Sequence, residues 1–171
     1  MSELKCLIFI SGNGSNLKNI IKNIDSGFLK NVRISEVLSD NPMAGGLKYA
    51  KAKHIPIKII NESYSFEDIS SDIDENSINL VILAGFMKIL PRDFVKKHDG
   101  KIINLHPSLL PRHKGLNTHQ RAIQSGDSMH GASVHFVTEE LDDGPVFIQG
   151  LVEIKKSDTV ISLKEKVHKI E

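Results

Sequence analysis

Five short runs of apolar, largely β-branched residues alternate with amphipathic stretches, and this alternation most constrains the fold of the chain. The runs occupy residues 4–10, 32–38, 55–60, 79–84 and 101–104. Runs of this length and composition are typical of strands that are buried on both faces. The stretch between the first two runs has apolar residues at helical spacing and then a stop signal: Leu17, Ile20, Ile21, Ile24 and Gly27.

Two further helices are predicted between the later runs. The stretch 41–54 opens with Asn41 and Pro42, which suit the cap and first-turn positions of a helix. The spacing of Phe66, Ile69 and Ile73 indicates the next helix. Strands and helices in regular alternation predict an α/β fold with a doubly wound, mostly parallel sheet.

After residue 115 the pattern changes. A short helix over 118–126 precedes two strand-like runs, 131–138 and 145–154, which an acidic loop joins. This pair predicts an antiparallel strand near the C-terminal end of the sheet. The last stretch, 157–171, has a helical apolar stripe but no stop signal, so we expect the natural chain to continue beyond Glu171.

Length, charge and cysteine content exclude several classes of protein. A chain of 171 residues predicts one domain, 1–171, with a sizeable core. The formal net charge is +1, which argues against nucleic acid and membrane surfaces as partners and favours small molecules or a second copy, as a monomer or homodimer. The single cysteine, Cys6, lies in an apolar run, and nothing resembles a signal peptide or the roughly 20 apolar residues of a transmembrane helix. We therefore expect a cytoplasmic protein.

The first run leads directly into "SGNGSNL", residues 11–17, where two glycines stand at a strand-to-helix turn. Glycines at such a turn let the backbone approach an anion, and the helix N-terminus offers free amides. We therefore predict a phosphate-binding loop at residues 12–16. Leu17 replaces the third glycine of a dinucleotide fingerprint, which favours the phosphate of a small substrate over a nicotinamide cofactor. A tight turn without a ligand is the alternative.

The motif "AGFMKIL", residues 84–90, follows the fourth run. It therefore falls at the carboxyl edge of the sheet, where open α/β folds bind ligands. Met87, Ile89 and Leu90 would suit an apolar pocket for a flat ring, with ordinary packing as the alternative.

Asn104 and His106 stand two residues apart at the end of the fifth run, so both side chains point to one side of an extended chain. Pro107 and Pro111 make the following segment a rigid loop. An amide that donates to a developing oxyanion, beside an imidazole that moves a proton near neutral pH, suits acyl transfer. Packing or capping by His106 is the alternative.

The loop 138–145 supplies Asp142 and Asp143, either of which would orient the imidazole of His106 or relay a proton through water. The sequence has no G-x-S-x-G elbow, so direct attack by a bound amine is expected rather than covalent serine chemistry. The many histidines between residues 106 and 135 make a metal site an alternative to consider. No H-E-x-x-H spacing or cysteine pair accompanies them, so no metal is expected.

Five motifs together resemble one known family. They are "ISGNGSNL", "LAGFMKIL", "INLHPSLLP", "GASVHFVTEELDDGPV" and "KVHKIE". Their order and spacing resemble phosphoribosylglycinamide formyltransferase, the folate-dependent enzyme of purine synthesis, over essentially the whole chain. The resemblance implies a Rossmann-like formyltransferase fold and 10-formyltetrahydrofolate as co-substrate. It also implies formyl transfer to the amine of 5'-phosphoribosylglycinamide in purine (IMP) biosynthesis.

The same resemblance implies roles for individual residues. Asn104 and His106 would stabilise the tetrahedral oxyanion, while Asp142 would position His106 and a water that moves the proton. The substrate phosphate would be held by Gly14, Ser15 and Asn16. Other substrate contacts are implied for Gly85, Met87, Gly115 and Glu171. Folate contacts are implied for Lys88, Ile89, Leu90, Thr138, Glu139, Glu140 and Leu141.

Two positions depart from the family pattern. The family often carries a phosphate-binding arginine near "NESYSF", whereas this chain has no arginine between Arg33 and Arg92. Phosphate affinity is therefore expected to depend more on the glycine-rich loop. Lys114 stands where the family usually has proline or arginine before Gly115, and it would supply a cation there.

Three alternatives fit the motifs in part. A methionyl-tRNA formyltransferase would share "HPSLLP" but would need a second, basic domain to hold tRNA. A formyltetrahydrofolate deformylase would use the same three residues for hydrolysis, and its relatives carry an additional N-terminal domain. A noncatalytic folate-binding module would bind the folate without turnover.

Overall fold

The computed structural model describes residues 3–171, in which strands and helices alternate as predicted. The elements are β1 (Leu4–Ile10), α1 (Ser15–Asp25), β2 (Val32–Ser39), α2 (Leu47–Ala52), β3 (Ile57–Ile59), α3 (Phe66–Glu75), β4 (Leu80–Leu83), α4 (Arg92–Lys97), β5 (Ile102–His106), α5 (Thr118–Gln124), β6 (Met129–Phe136), β7 (Val146–Glu153) and α6 (Val160–His168). The strands form a seven-stranded sheet in the order β3-β2-β1-β4-β5-β6-β7. β1 pairs in parallel with β2 and β4, and β6 pairs antiparallel with β7. The predicted α/β fold, a mostly parallel sheet with an antiparallel strand near its C-terminal end, is confirmed.

The chain forms two compact units, the first extending to Ile103 and the second being Asn104–Glu171. In the first unit, Ile8 and Ile10 of β1 are fully buried, and α1 turns Leu17 and Ile21 onto the same core. Burying each side chain of this kind stabilises the fold by about 1.5–3 kcal/mol. The strand end that precedes the glycine-rich loop is therefore fixed by packing.

The second unit has its own small core. Ala122 of α5, Ala132 of β6 and the α6 residues Leu163 and Val167 are buried together. The predicted stripe of the last helix is thus confirmed at its centre, whereas Val160 at its start is 42% exposed. No helix in residues 3–171 is long and apolar enough to cross a membrane.

One predicted helix start is wrong. Asn41 and Pro42 lie in turns, and α2 begins only at Leu47, with Gly46 as its N-cap residue. The Gly46 N–H donates to the Gly12 carbonyl at 3.0 Å, and a Cβ added to Gly14 would lie 2.6 Å from the Gly46 Cα. This backbone-to-backbone contact holds the segment outside a helix, and local sequence signals do not reveal it.

Candidate active site

The glycine loop, residues 12–16, joins β1 to α1 in the first unit. Gly14 is the N-cap residue of α1 and adopts a left-handed φ of 67°, which only glycine takes without strain. Gly14 has no side chain with which to cap this helix end, and the first turn of α1 contains no acidic residue. A helix N-terminus that has no competing negative charge is suited to bind an anion.

A second loop at the carboxyl edge of the sheet follows β4. Ser11 ties it to the end of β1, because the Ser11 N–H donates to the Gly85 carbonyl at 3.2 Å and the Met87 N–H donates to Ser11 Oγ at 2.8 Å. Met87 and Ile89 are 64% and 78% exposed, whereas Leu90 is buried in the core. Of the three residues predicted to line an apolar pocket, two are therefore available to a ligand and one serves packing. Lys88, between them, is exposed.

The second unit contains a polar cluster of four side chains, namely Asn104, His106, His135 and Asp142. Asn104 Nδ2 donates to Asp142 Oδ1 at 3.3 Å, and His106 Nδ1 lies 3.3 Å from Asp142 Oδ2. The two β5 residues that sequence spacing placed on one side thus meet the same carboxylate. The side chains of His106 and Asp142 are only 8% and 7% exposed, so water screens this contact weakly.

Asp142 is held in an unusual loop position. Its backbone has a left-handed φ of 49°, and its Oδ2 accepts the Gly115 N–H at 2.8 Å. Burial raises the pKa of the Asp142 carboxyl, but the contacts with His135, the Gly115 N–H and His106 lower it more, so the pKa lies below its usual value. The carboxyl is therefore ionised across the neutral range. Asp143, the other aspartate considered from sequence, is exposed and forms an ion pair with Lys114 instead.

Sequence reasoning missed His135 as a member of this cluster. Its Nδ1 lies 2.8 Å from the Phe136 carbonyl, which can only accept, so Nδ1 carries the hydrogen. Nε2 lies 3.2 Å from Asn104 Nδ2, from which it accepts in the neutral ring, and 3.6 Å from Asp142 Oδ1, to which it donates when the ring is protonated. Both hydrogens of the Asn104 amide consequently have acceptors, His135 and Asp142. Alternation along β6 gives no signal for this position, because Val134 and Phe136 are the apolar neighbours of His135 and burial does not alternate along the strand.

The remaining predicted residues occupy several environments. Gly115 has a left-handed φ of 77° and contacts Asp142 through its N–H. Thr138 Oγ1 donates to the Glu140 carbonyl at 3.3 Å, and Leu141 is 56% exposed. The Glu171 carboxylate lies 3.1 Å from His168 Nδ1. The expected cation, Lys114, is bound to Asp143.

The other histidines of the second unit form pairs rather than a metal centre. His113 Nε2 lies 2.7 Å from Asp127 Oδ2, and His119 Nδ1 lies 3.1 Å from His130 Nε2. Burial, and then the neighbouring His119 and His113, lowers the pKa of His130 to about 4. Within residues 3–171, no group of three or more His, Cys, Asp or Glu side chains is arranged to hold a metal ion.

An amide and an imidazole at the end of a strand in a doubly wound sheet, beside an ionised carboxylate from a loop, define a site for group transfer at a carbonyl carbon. Comparison with known proteins agrees with this class. The family profile described as "Formyl transferase" matches residues 4–171. The chain is 39% identical over 173 residues to a phosphoribosylglycinamide formyltransferase of Haemophilus influenzae, covering 98% of this chain and 81% of that protein.

A solved structure and a longer relative extend the comparison. The crystal structure of phosphoribosylglycinamide formyltransferase from Anaplasma phagocytophilum is 40% identical with a TM-score of 0.91, over 98% of this chain and 80% of that one. The chain is also 39% identical to the human "Trifunctional purine biosynthetic protein adenosine-3", of which it spans only 18%. The chain belongs to the phosphoribosylglycinamide formyltransferase family.

Proposed function

We infer that this chain transfers the formyl group of 10-formyltetrahydrofolate to the glycinamide amine of 5'-phosphoribosylglycinamide, a step of purine biosynthesis. The polar cluster carries this inference, because it combines a hydrogen-bond donor, a proton carrier and an ionised base within contact distance. Membership of the family supplies the substrates that such a cluster would act on. The human trifunctional relative is much longer, and its other activities are not proposed for this chain.

The reaction forms one C–N bond, from the amine to the formyl carbon, and breaks one, from that carbon to the folate nitrogen. One proton moves from the attacking amine to the departing nitrogen. We propose that Asn104 and protonated His106 stabilise the oxyanion of the tetrahedral intermediate. An oxyanion accepts more strongly than a neutral imidazole nitrogen, so it would take over the Asn104 N–H that now faces His135. Asp142 would hold His106 and a water that carries the proton.

The glycine loop is proposed to bind the substrate phosphate through Gly14, Ser15 and Asn16. The left-handed conformation of Gly14 and the absence of an acidic residue from the first turn of α1 support this role. The remaining substrate contacts are proposed for Gly85, Met87, Gly115 and Glu171. Lys114 is already engaged by Asp143 and therefore is not expected to replace the phosphate-binding arginine on its own.

The folate is proposed to contact the segment 88–90 and the segment 138–141. The exposed apolar side chains of Met87 and Ile89 support a flat-ring ligand beside the first of these segments, because burial of that surface by a ring would be favourable. The buried side chain of Leu90 would contribute through packing rather than direct contact.

Three broader features are also proposed. The family match runs from residue 4 to residue 171, which supports a single formyltransferase domain that includes both compact units. The small-molecule substrates and the buried, unpaired Cys6 support a cytoplasmic location. A monomer or homodimer is proposed, and sedimentation velocity across a concentration series would distinguish them.

The function is tested by a steady-state assay of 10-formyltetrahydrofolate turnover with and without phosphoribosylglycinamide. We expect turnover only when the ribonucleotide is present, with formylated ribonucleotide as product. Equal turnover in its absence would instead establish hydrolysis of the folate. Folate binding by calorimetry without turnover in either mixture would contradict an enzymatic role.

A further inference from the structure

His106 makes a second contact that fixes which of its ring nitrogens can work. Its Nε2 lies 3.0 Å from the main-chain carbonyl of His113. A carbonyl oxygen only accepts, so Nε2 carries a hydrogen and keeps it. The other nitrogen, Nδ1, faces Asp142 Oδ2 at 3.3 Å. Nδ1 is therefore the nitrogen at which a proton can be gained or lost.

The carbonyl that sets this tautomer belongs to a residue with a strained backbone. His113 has a φ of 55°, in the left-handed region that residues other than glycine rarely adopt. This conformation costs a non-glycine residue about 1–2 kcal/mol. Strain of this kind persists only where surrounding contacts fix the backbone.

The side chain of His113 provides such a contact. Its Nε2 donates to Asp127 Oδ2 at 2.7 Å, and the two side chains are only 11% and 12% exposed. The other Asp127 oxygen accepts from Arg112 Nη1 at 3.2 Å, but that guanidinium is 69% exposed. A short, shielded hydrogen bond to a carboxylate is stronger than an exposed ion pair, so the His113 contact is the more important one.

We propose that Asp127 is a positioning residue for the reaction. It anchors the His113 side chain, which keeps the strained His113 carbonyl on His106 Nε2 and leaves Nδ1 as the working nitrogen. The proposal deepens the proposed function, since it assigns Asp127 to the same site through two intermediate contacts.

Two substitutions of His113 separate positioning from simple packing. His113→Ala and His113→Gly both delete the contact with Asp127, but only glycine adopts the left-handed backbone without strain. We expect His113→Ala to lower kcat about 10-fold, with little change in either KM, because small misplacements of a catalytic group are costly. His113→Gly should lower kcat clearly less than His113→Ala does.

Asp127→Leu should lower kcat about as much as His113→Ala does. When it is combined with His113→Gly, it should lower kcat little further. Arg112→Met is the matched control, because it removes the exposed partner of Asp127 and is expected to leave kcat within about 2-fold of wild type. If Asp127→Leu does not fold, the comparison of the two His113 variants still decides the matter. Equal losses in His113→Ala and His113→Gly would overturn the proposal.

A spectroscopic measurement makes the test independent of the enzyme activity. NMR of protein carrying isotope-labelled histidine reports whether the His106 proton resides on Nε2 or Nδ1. We expect Nε2 to keep its hydrogen in wild type whether or not Nδ1 is protonated, and to lose it in part of the molecules of His113→Ala. An unchanged His106 signal in that variant would refute the positioning role, even if the substrates of the reaction were misassigned.

Discussion

The glycine loop and the polar cluster provide their chemistry from different parts of the chain. The loop offers backbone amides at the start of α1, and Gly14 makes this possible by its left-handed conformation and its contact with Gly46. The cluster offers side chains, Asn104, His106 and Asp142, that are joined by hydrogen bonds and shielded from water. The loop therefore depends on space and backbone conformation, whereas the cluster depends on functional groups and their protonation.

This difference predicts separate sensitivities. A methyl group added to the loop at Gly14 should disturb the fold, while a charge added to the loop should disturb only ligand binding. In the cluster, removal of one functional group should abolish chemistry while the surrounding core retains its packing. The region around the cluster should also respond to pH, because it contains buried histidines.

The largest expected effect is that of His106→Ala on turnover. Loss of the group that stabilises the oxyanion and moves a proton should lower kcat at least about 100-fold, with little change in folate binding. Steady-state kinetics and folate titration measure the two quantities. His54→Asn, at an exposed histidine, is the control and should retain wild-type kinetics. An unchanged kcat in His106→Ala would exclude this residue from the mechanism. It would also contradict the view that the cluster, unlike the loop, acts through its functional groups.

The next largest effect is expected in the glycine loop. Gly14→Ala combines a left-handed backbone with a Cβ only 2.6 Å from Gly46 Cα, so we expect it to lower the free energy of unfolding by about 2–4 kcal/mol. Gly12→Ala is the matched control. No described heavy atom lies within 4 Å of its added Cβ, and Gly12 lies outside the left-handed region, so stability should change by less than about 0.5 kcal/mol.

Urea unfolding of both variants measures this difference. Gly12→Ala could also raise the KM of the phosphate-bearing substrate. The empty space beside Gly12 would then be needed for binding, whereas the close contact of Gly14 with Gly46 is needed for folding. Equal stability of the two variants would show that the Gly14–Gly46 contact is not a structural requirement. The loop would then not depend on space and backbone conformation.

The two regions also differ in what the sequence can predict. β1, α1 and the turn between them follow from local patterns, because apolar run length, helical spacing and glycine placement all agree there. The start of α2 does not, since Gly46 is fixed by a loop about 30 residues earlier in the chain. The short helix α4 carries too few apolar positions to show a period.

In the cluster, the spacing of Asn104 and His106 predicted their common direction, but it left Asp142 and Asp143 equivalent. Only the folded loop distinguishes them, by a left-handed Asp142 whose carboxylate accepts the Gly115 N–H. The roles of His135 and His113 do not follow from the sequence, because nothing local indicates that their partners are an amide and an aspartate. Tertiary hydrogen bonds are outside the reach of sequence periodicity.

A smaller effect concerns the pH dependence of stability in the second unit. Burial lowers the pKa of His130 to about 4, below the value of about 6.5 expected in the unfolded chain. The unfolded state therefore binds more protons between these values, so this contribution to stability is complete above about pH 6.5 and is lost as the pH falls towards 4. His119, whose pKa is lowered chiefly by burial, should act in the same direction.

Urea unfolding at about pH 7 and about pH 5 should show a decrease in stability on the order of 1–2 kcal/mol from His130. His130→Gln retains a polar side chain but cannot titrate, so its stability should decline less between the same two conditions. Parallel pH profiles for wild type and His130→Gln would show that the buried histidine does not contribute, and pH sensitivity would no longer distinguish this region.

The smallest effect expected is a change of ligand affinity without a change of fold, produced by Ser15→Asp in the glycine loop. A carboxylate in the first turn of α1 interacts favourably with the helix dipole, so the free energy of unfolding should stay constant or rise by about 0.5 kcal/mol. The same carboxylate repels a bound phosphate and competes for its amides, so the KM for phosphoribosylglycinamide should rise about 10-fold, or 1.4 kcal/mol. Ser15→Asn, which adds similar bulk without charge, is the control. A site built from backbone amides should discriminate between the two variants by charge alone. A matching rise in the KM for the folate would therefore assign the loop to a different ligand, and no rise in either KM would show that the loop binds neither substrate.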